Sequence, residues 1–182
     1  MSQPEDRFAR RLAELRQQFD TSFAAPRRNT AVPQHKLLAI RLGEGDFALR
    51  LEETAGIYAC PKVVPLPAAT SGLLGIVGVR GRLLAVYRLA TLLGVDPGSA
   101  PLRWLVVTRA DDQLALAVDS IEAYLHVGEA ELHPRLGHAA PGDEFYRELL
   151  SFDSSLRPVI SVAALVAAIR KQAHAPLASE ET

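Results

Sequence analysis

Residues 71–86 read Ser-Gly-Leu-Leu-Gly-Ile-Val-Gly-Val-Arg-Gly-Arg-Leu-Leu-Ala-Val, a glycine-rich stretch that runs into an apolar one. Gly75 and Gly81 allow backbone conformations that other residues avoid, so Ser71–Gly78 is predicted to be a turn with at most one helical turn. Arg80 adds a planar guanidinium with five donors. It either clamps this loop through backbone carbonyls or contacts a partner.

Alternating residues on both sides of this stretch predict a mainly β chain. Phe47, Leu49 and Leu51 alternate with charged or small side chains, as a half-buried strand requires. Further short runs, separated by Gly, Pro and Asp, are predicted strands: residues 37–42, 54–59, 63–66, 82–87, 103–108, 114–118, 121–127, 146–152 and 158–160. Because no strand–helix–strand repeat occurs, small barrels or sandwiches are favoured over a parallel sheet.

Three segments have helical patterns. Phe8, Leu12, Leu15 and Phe19 share one face of an N-terminal amphipathic helix, expected to pack on the protein's own barrels, with a docking arm as the alternative. A short helix is predicted over Leu89–Leu93. Ser161 can cap a C-terminal helix whose apolar face packs back on the barrels.

Composition divides the chain into four predicted parts. Residues 1–35 form a helix and linker, 36–98 a first β-barrel lobe, 99–172 a second lobe with the packing helix, and 173–182 a flexible tail. The Pro- and Gly-containing stretch 96–101 is the predicted boundary between the lobes.

The overall composition narrows the class of protein. A net charge of −1 without long single-sign blocks argues against a nucleic-acid partner. Cys60 is the single cysteine, which is typical of a reducing cytoplasm. No run reaches the ~18 apolar residues of a membrane span, and charged residues at the N-terminus argue against a signal peptide. A cytoplasmic protein without direct membrane insertion is expected.

Motifs for catalysis, cofactors and metals were not found in the sequence. It has neither a phosphate-binding loop nor a nucleophile elbow. His126, His133 and His138, with Asp143 and Glu144 nearby, match no ligand spacing and are interpreted as surface residues. We therefore expect no enzyme, no cofactor and no metal, and interpret the chain as a binding module.

Residues 71–86 resemble the central motif of the CheW coupling family, with Gly75, Arg80 and Gly81 at matching positions. Further stretches are similar to the family in order and spacing: Phe47-Ala48-Leu49, Pro65-Leu66-Pro67, residues 114–119, and Pro158-Val159-Ile160 followed by a helix. The resemblance extends from Lys36 to about Lys171.

The resemblance implies two five-stranded β-barrels side by side. It also implies a non-enzymatic signalling adaptor that couples the regulatory domain of a CheA-type histidine kinase to the helical tip of a chemoreceptor, recruited to receptor arrays at the inner membrane. Apolar strand edges and a groove suit such contacts.

Two positions depart from the family pattern. Gly56 stands where a Glu commonly lies near the motif's Arg, and Arg88 stands where an Asp is usual. Thr54 shares a strand face with Gly56. We interpret the chain as a divergent coupling protein of a dedicated pathway, for example one that controls pili.

The partner-binding residues predicted on this basis are Arg80, Gly75, Val79, Gly81, Thr54, Gly56, Arg88 and Leu105. Two alternatives stay open. One is a degenerate CheW-like module that binds a single partner as a decoy or assembly cap; the other is a small β-barrel ligand- or metal-binding protein that uses residues 126–144.

Overall fold

A computed structural model of the chain describes residues 34–67, 70–99, 101–111, 113–135 and 142–173. The predicted N-terminal helix and the tail beyond Ala173 lie outside these residues. The strands are β1 His35–Leu42, β2 Gly45–Arg50, β3 Thr54–Ala59, β4 Leu73–Val79, β5 Arg82–Arg88, β6 Trp104–Thr108, β7 Leu114–Val118, β8 Ser120–Val127, β9 Leu132–Pro134, β10 Tyr146–Phe152 and β11 Ser155–Ile160. The helices are α1 Leu89–Leu92 and α2 Val162–Ala173.

The strands form two sheets, which confirms the predicted mainly β fold. One has six strands in the order β8-β1-β2-β11-β10-β9, one more than expected, and the other has five in the order β3-β6-β7-β5-β4. Neighbours are antiparallel except for the pairs β2–β11 and β5–β7. Closure of either sheet into a barrel stays a prediction.

The predicted lobe boundary near residue 98 does not coincide with the sheets. β1 and β2 pair with strands from the second half of the chain, and β6 and β7 join the five-stranded sheet. The chain thus changes sheet after β2 and again after β7. Strand spacing along the sequence cannot reveal such a crossover, because it carries no information on which strands pair.

Buried side chains form three clusters. One lies between the two sheets, and each sheet has a further cluster on its other face. The largest includes Leu38 and Leu49 of the six-stranded sheet, Leu116 of the other, and Leu165 of α2. A second cluster around Leu105 lies on the opposite face of the five-stranded sheet. A third lies on the opposite face of the six-stranded sheet. Because the central strands are covered on both faces, β7 is buried along its whole length.

Two local predictions need correction. Ser71–Gly78 was expected to be a turn, but Leu73–Val79 is a strand. Gly75 has φ +144°, and a Cβ there would lie 2.0 Å from the carbonyl oxygen of Val64. The glycine therefore permits a close backbone approach inside a strand. The expected strand 63–66 is reduced to a single bridge, Val64 to Ile76.

The C-terminal helix follows its prediction. Ser161 Oγ accepts a hydrogen bond from the Ala164 N–H at 3.3 Å, as an N-cap does. Glu53 Oε2 accepts a further bond from the Val162 N–H at 2.9 Å. The Glu53 carboxylate thus stabilises the positive end of the α2 dipole.

Candidate docking surface

The β4–β5 hairpin ends in a two-residue turn with positive φ at both positions, +49° at Arg80 and +78° at Gly81. This is the requirement of a type I′ turn, whose twist matches that of the flanking strands. A Cβ at Gly81 would meet nothing within 4 Å, so the glycine serves backbone conformation and not close packing.

Arg80 contacts an aromatic ring instead of loop carbonyls. Its guanidinium carbon lies 5.3 Å from the ring centroid of Tyr58 on β3. Within the described residues, Arg80 makes no hydrogen bond or ion pair. The carboxylates of Glu52 and Glu53 pair elsewhere, with Arg50 and with the Val162 N–H. An exposed cation–π contact contributes only about 0.5–1 kcal/mol, and Arg80 is exposed to solvent.

Large apolar side chains are exposed beside this turn. Leu83 is 69% exposed, Val64 55% and Leu66 43%. Val64 bridges to Ile76, and Leu83 lies opposite Gly78 on the same hairpin. We call Val64, Leu66 and Leu83, together with Lys62, Arg80 and Arg82, the hairpin surface. By strand alternation Leu83 points to the opposite face of the hairpin from Leu84 and from the Tyr58 ring that Arg80 covers. Exposed apolar side chains of this kind are typical of interaction sites.

The hairpin surface is positively charged. From Thr54 to Val95 the sequence has no Asp or Glu, although it contains Lys62, Arg80, Arg82 and Arg88. The first three are exposed. A partner with carboxylates around an apolar contact would be complementary to it.

Gly56 and Thr54 affect this surface through the packing and backbone of β3. A Cβ at Gly56 would lie 2.9 Å from the Tyr58 ring, so glycine leaves room for the ring that Arg80 covers. Thr54 is buried and donates a hydrogen bond from Oγ1 to the Leu51 carbonyl oxygen at 2.9 Å. Both positions support the strand and do not present a side chain to a partner.

Two further predicted contact residues have packing roles. Leu105 is 0% exposed in the cluster beneath β5, so its side chain is not available at the surface. Val79 is half-buried and packs on the edge of the same cluster. The sequence predicted a strand at Leu105 but not at Val79, and it could not show which face of a strand is covered.

Arg88 lies in a polar junction between the sheets. Its Nη2 donates a hydrogen bond to the Pro97 carbonyl oxygen at 3.1 Å and lies 4.0 Å from Asp119 Oδ1. Asp119 Oδ2 accepts a bond from the Gly43 N–H at 2.6 Å. The reversed charge at Arg88 therefore lies near a carboxylate of the same molecule, and its predicted contact with a partner stays a prediction.

The histidine region offers no metal site in the described part of the chain. No three His, Cys, Asp or Glu side chains gather there. His126 on β8 packs edge-on against Tyr124, and Asp143 pairs with Arg135. His138 lies outside the described residues. Burial raises the pKa of the Cys60 thiol, which makes the thiol less reactive.

The described helices include α1 and α2. None of them is long and apolar enough to cross a bilayer.

A family model described as "CheW-like domain" matches residues 36–170. The chain belongs to the CheW-like domain family. A protein of Rhizobium etli named "Probable chemotaxis protein CheW" is 23% identical over 141 residues, which cover 76% of this chain and 91% of the relative. "Protein PilI" of Pseudomonas aeruginosa is 27% identical over 137 residues, which cover 74% and 70%.

A solved CheW-like structure supports the fold. The scaffolding protein TtCheW from Thermoanaerobacter tengcongensis superimposes with a TM-score of 0.65 at 17% identity, covering 72% of this chain and 92% of that one. The CheW-like family consists of non-enzymatic scaffolds of chemotaxis signalling, so a scaffold or adaptor role in general follows for this chain.

Proposed function

We propose that this protein is a non-enzymatic coupling adaptor that joins the regulatory domain of a CheA-type histidine kinase to the helical tip of a chemoreceptor. The observation that carries the proposal is the exposed apolar and basic hairpin surface on a CheW-like domain. Adaptor contacts need apolar centres with charged rims, and they need no reactive groups. The adaptor works in the cytoplasm at receptor arrays.

The hairpin surface has the makeup of an interaction centre. Leu83 is the apolar residue most exposed there, and the exposed Arg80 lies over the Tyr58 ring. Arginine and aromatic residues are enriched among the few residues that dominate binding energy. Carboxylates on the partner would pair with the cations, which favours fast association and selects against basic partners.

The divergence of this chain supports a dedicated pathway. Gly56 removes a family carboxylate, and Arg88 has an internal partner in Asp119. One relative carries the name PilI and not a chemotaxis name. We infer that the cognate kinase and receptor belong to a separate signalling system, such as one controlling pili.

Co-purification of the tagged full chain from its native cells tests the proposal. The wild type should retain both a histidine kinase and a receptor. Leu83→Asp should reduce recovery of at least one of them by about tenfold or more, because it places a carboxylate in the apolar centre. Leu156→Asp, at a second exposed leucine on the β10–β11 hairpin, is the matched control and should retain both.

Other outcomes separate the alternatives. If the wild type retains neither class of partner, the adaptor proposal is wrong. Retention of one class alone would indicate a degenerate module. Melting curves of each variant would verify that lost recovery does not arise from unfolding.

A further inference from the structure

Gly56 and Tyr58 lie two residues apart on one face of β3. Gly56 pairs with Val107 and Tyr58 with Leu105, and both partners belong to the buried cluster of the five-stranded sheet, so both positions face that cluster. The Tyr58 ring extends toward Gly56, because a Cβ built on the glycine would lie 2.9 Å from ring carbon Cε2 and 2.9 Å from the hydroxyl oxygen. The ring therefore occupies the space that a side chain at position 56 would need.

The guanidinium of Arg80 is held by this ring. Its central carbon lies 5.3 Å from the Tyr58 ring centroid. Within the part of the chain that the structure describes, no carboxylate pairs with Arg80. A carboxylate would neutralise the arginine and occupy some of its N–H donors, whereas an aromatic face attracts the cation and leaves its charge uncompensated. The ring thus restricts Arg80 without cancelling what a partner could recognise.

The backbone of Arg80 indicates that its side chain is needed. Arg80 has φ +49° at the first position of its turn, where Asn, Asp or Gly is preferred. A left-handed conformation is costly for a residue with a longer side chain. Such strain commonly marks a residue whose side chain has a functional role. Arg80 is also exposed, so a contact outside the chain is open to it.

We propose that Tyr58 is a positioning residue whose ring, for which Gly56 leaves room, holds Arg80 ready for a carboxylate of the partner. Position 56 then determines partner choice. A carboxylate at this position would compete with the partner's carboxylate for Arg80, whereas glycine leaves the full charge available. The inference rests on the proposed function, since the carboxylate recognised belongs to a partner of the adaptor.

Arginine side-chain NMR tests the positioning without any partner. The Nε–H signal of Arg80, assigned by its loss in Arg80→Ala, should be shifted upfield, because protons over an aromatic face are shielded by the ring. Tyr58→Phe should keep this shift, and Tyr58→Leu should abolish it. Gly56→Ala should reduce the shift, since its Cβ displaces the ring. An Arg80 signal that is the same in wild type and Tyr58→Leu would overturn the positioning role.

Gly56→Gln and Gly56→Glu form a matched pair for partner choice, because both displace the ring and only one adds a charge. Calorimetric titrations use the kinase regulatory domain and the receptor tip as separate probes. For at least one probe, Gly56→Gln should weaken binding about two- to fivefold through lost positioning. Gly56→Glu should weaken it about tenfold or more, because its carboxylate also neutralises Arg80. Equal affinities of the two variants would overturn the role of position 56.

Salt dependence provides a second measurement on the same proteins. Raising the ionic strength should weaken wild-type binding more than binding by Gly56→Glu, since the variant has lost one charge pair with the partner. An equal salt dependence would contradict a partner carboxylate at Arg80. Melting curves of each variant verify that the proteins compared are folded.

The Tyr58 variants separate this inference from the proposed function. Tyr58→Leu should weaken binding of the same probe about two- to fivefold, and Tyr58→Phe should restore it, because the ring and not the hydroxyl holds Arg80. A ring-dependent Arg80 shift in a chain that binds neither probe would leave the contact standing and overturn the adaptor proposal. Wild-type affinity of Tyr58→Leu for both probes would leave the adaptor standing and overturn the inference.

Discussion

The β4–β5 and β10–β11 hairpins have the same turn geometry, but their arginines have different charge partners. Each ends in a two-residue turn with positive φ at both positions, Arg80-Gly81 in one and Asp153-Ser154 in the other. Two residues after each turn stands an exposed leucine, Leu83 at 69% and Leu156 at 63%. The backbone geometry alone does not distinguish them.

The arginines of the two hairpins differ in their charge partners. Arg80 lies 5.3 Å from the Tyr58 ring, and Arg157 lies 5.2 Å from the Phe152 ring. Arg157 is buried and pairs with Glu122 at 2.5 Å and with Asp46 at 3.5 Å. Arg80 is exposed, and its contact with Tyr58 involves no carboxylate. The comparison shows that Arg157 is held by carboxylates inside the molecule, whereas Arg80 stays exposed without one.

Arg157→Ala gives the largest expected effect. Removing the guanidinium leaves Glu122 and Asp46 with Arg41 as their remaining cation, and we expect a loss of about 2–3 kcal/mol in the free energy of unfolding. This is below the ~3–5 kcal/mol typical of breaking a fully buried pair, because both carboxylates stay partly exposed. Thermal melting should fall by about 4–12 °C. Arg80→Ala is the control, with a loss under about 1 kcal/mol; equal losses would refute the comparison.

Acid should weaken the β10–β11 side of the molecule. The hydrogen bond from Arg157, and a second from Arg41, hold the pKa of the Glu122 carboxyl below its ordinary 4.5. A folded-state pKa below the unfolded value contributes stability above pH 4.5 that is lost as the pH falls through the folded value. Denaturant unfolding at neutral and acidic pH measures the loss.

Glu122→Gln is the matched variant for the pH dependence. It should lose less stability between neutral pH and the acidic range, because the titrating carboxyl is gone. The same loss in both proteins would show that other carboxylates are responsible. The β4–β5 hairpin, in a stretch without Asp or Glu, should contribute little to the difference.

The smallest effects are expected in the turns themselves. Arg80→Asn places the preferred residue at the first position of a type I′ turn, and we expect a gain of up to about 0.5 kcal/mol with weaker partner binding. Ser154→Gly removes a Cβ from a position with φ +61° and should gain about 1 kcal/mol without affecting binding. Unfolding titrations and partner binding assays of both variants check this, and unchanged binding by Arg80→Asn would argue against recognition through Arg80.

Much of the local structure was predictable because it depends on neighbours in sequence. Strands 54–59, 114–118 and 146–152 have their predicted bounds, and Ser161 caps its helix as expected. β4 was not predictable, since its glycines suggested a turn. The close approach of Gly75 to Val64 is a contact with a segment eleven residues away along the chain.

Only some residues of the candidate surface could be predicted from the sequence. The motif marked Arg80 and Gly81, but it gave no reason to select Leu83, Val64 or Leu66, whose exposure depends on which face of the hairpin is covered. Leu105 and Arg88 were predicted to bind a partner, and the tertiary structure places Leu105 in the core and Arg88 near Asp119.

The sequence by itself determined the β-rich class, the capped C-terminal helix and the family, because alternation, capping residues and motif order are local or linear properties. Only the tertiary structure decided which strands share a sheet, which leucines stay exposed and which arginine meets a carboxylate. Those properties depend on contacts between segments far apart in the chain: β1 meets β8, and Arg157 meets Glu122, only after the two halves have crossed.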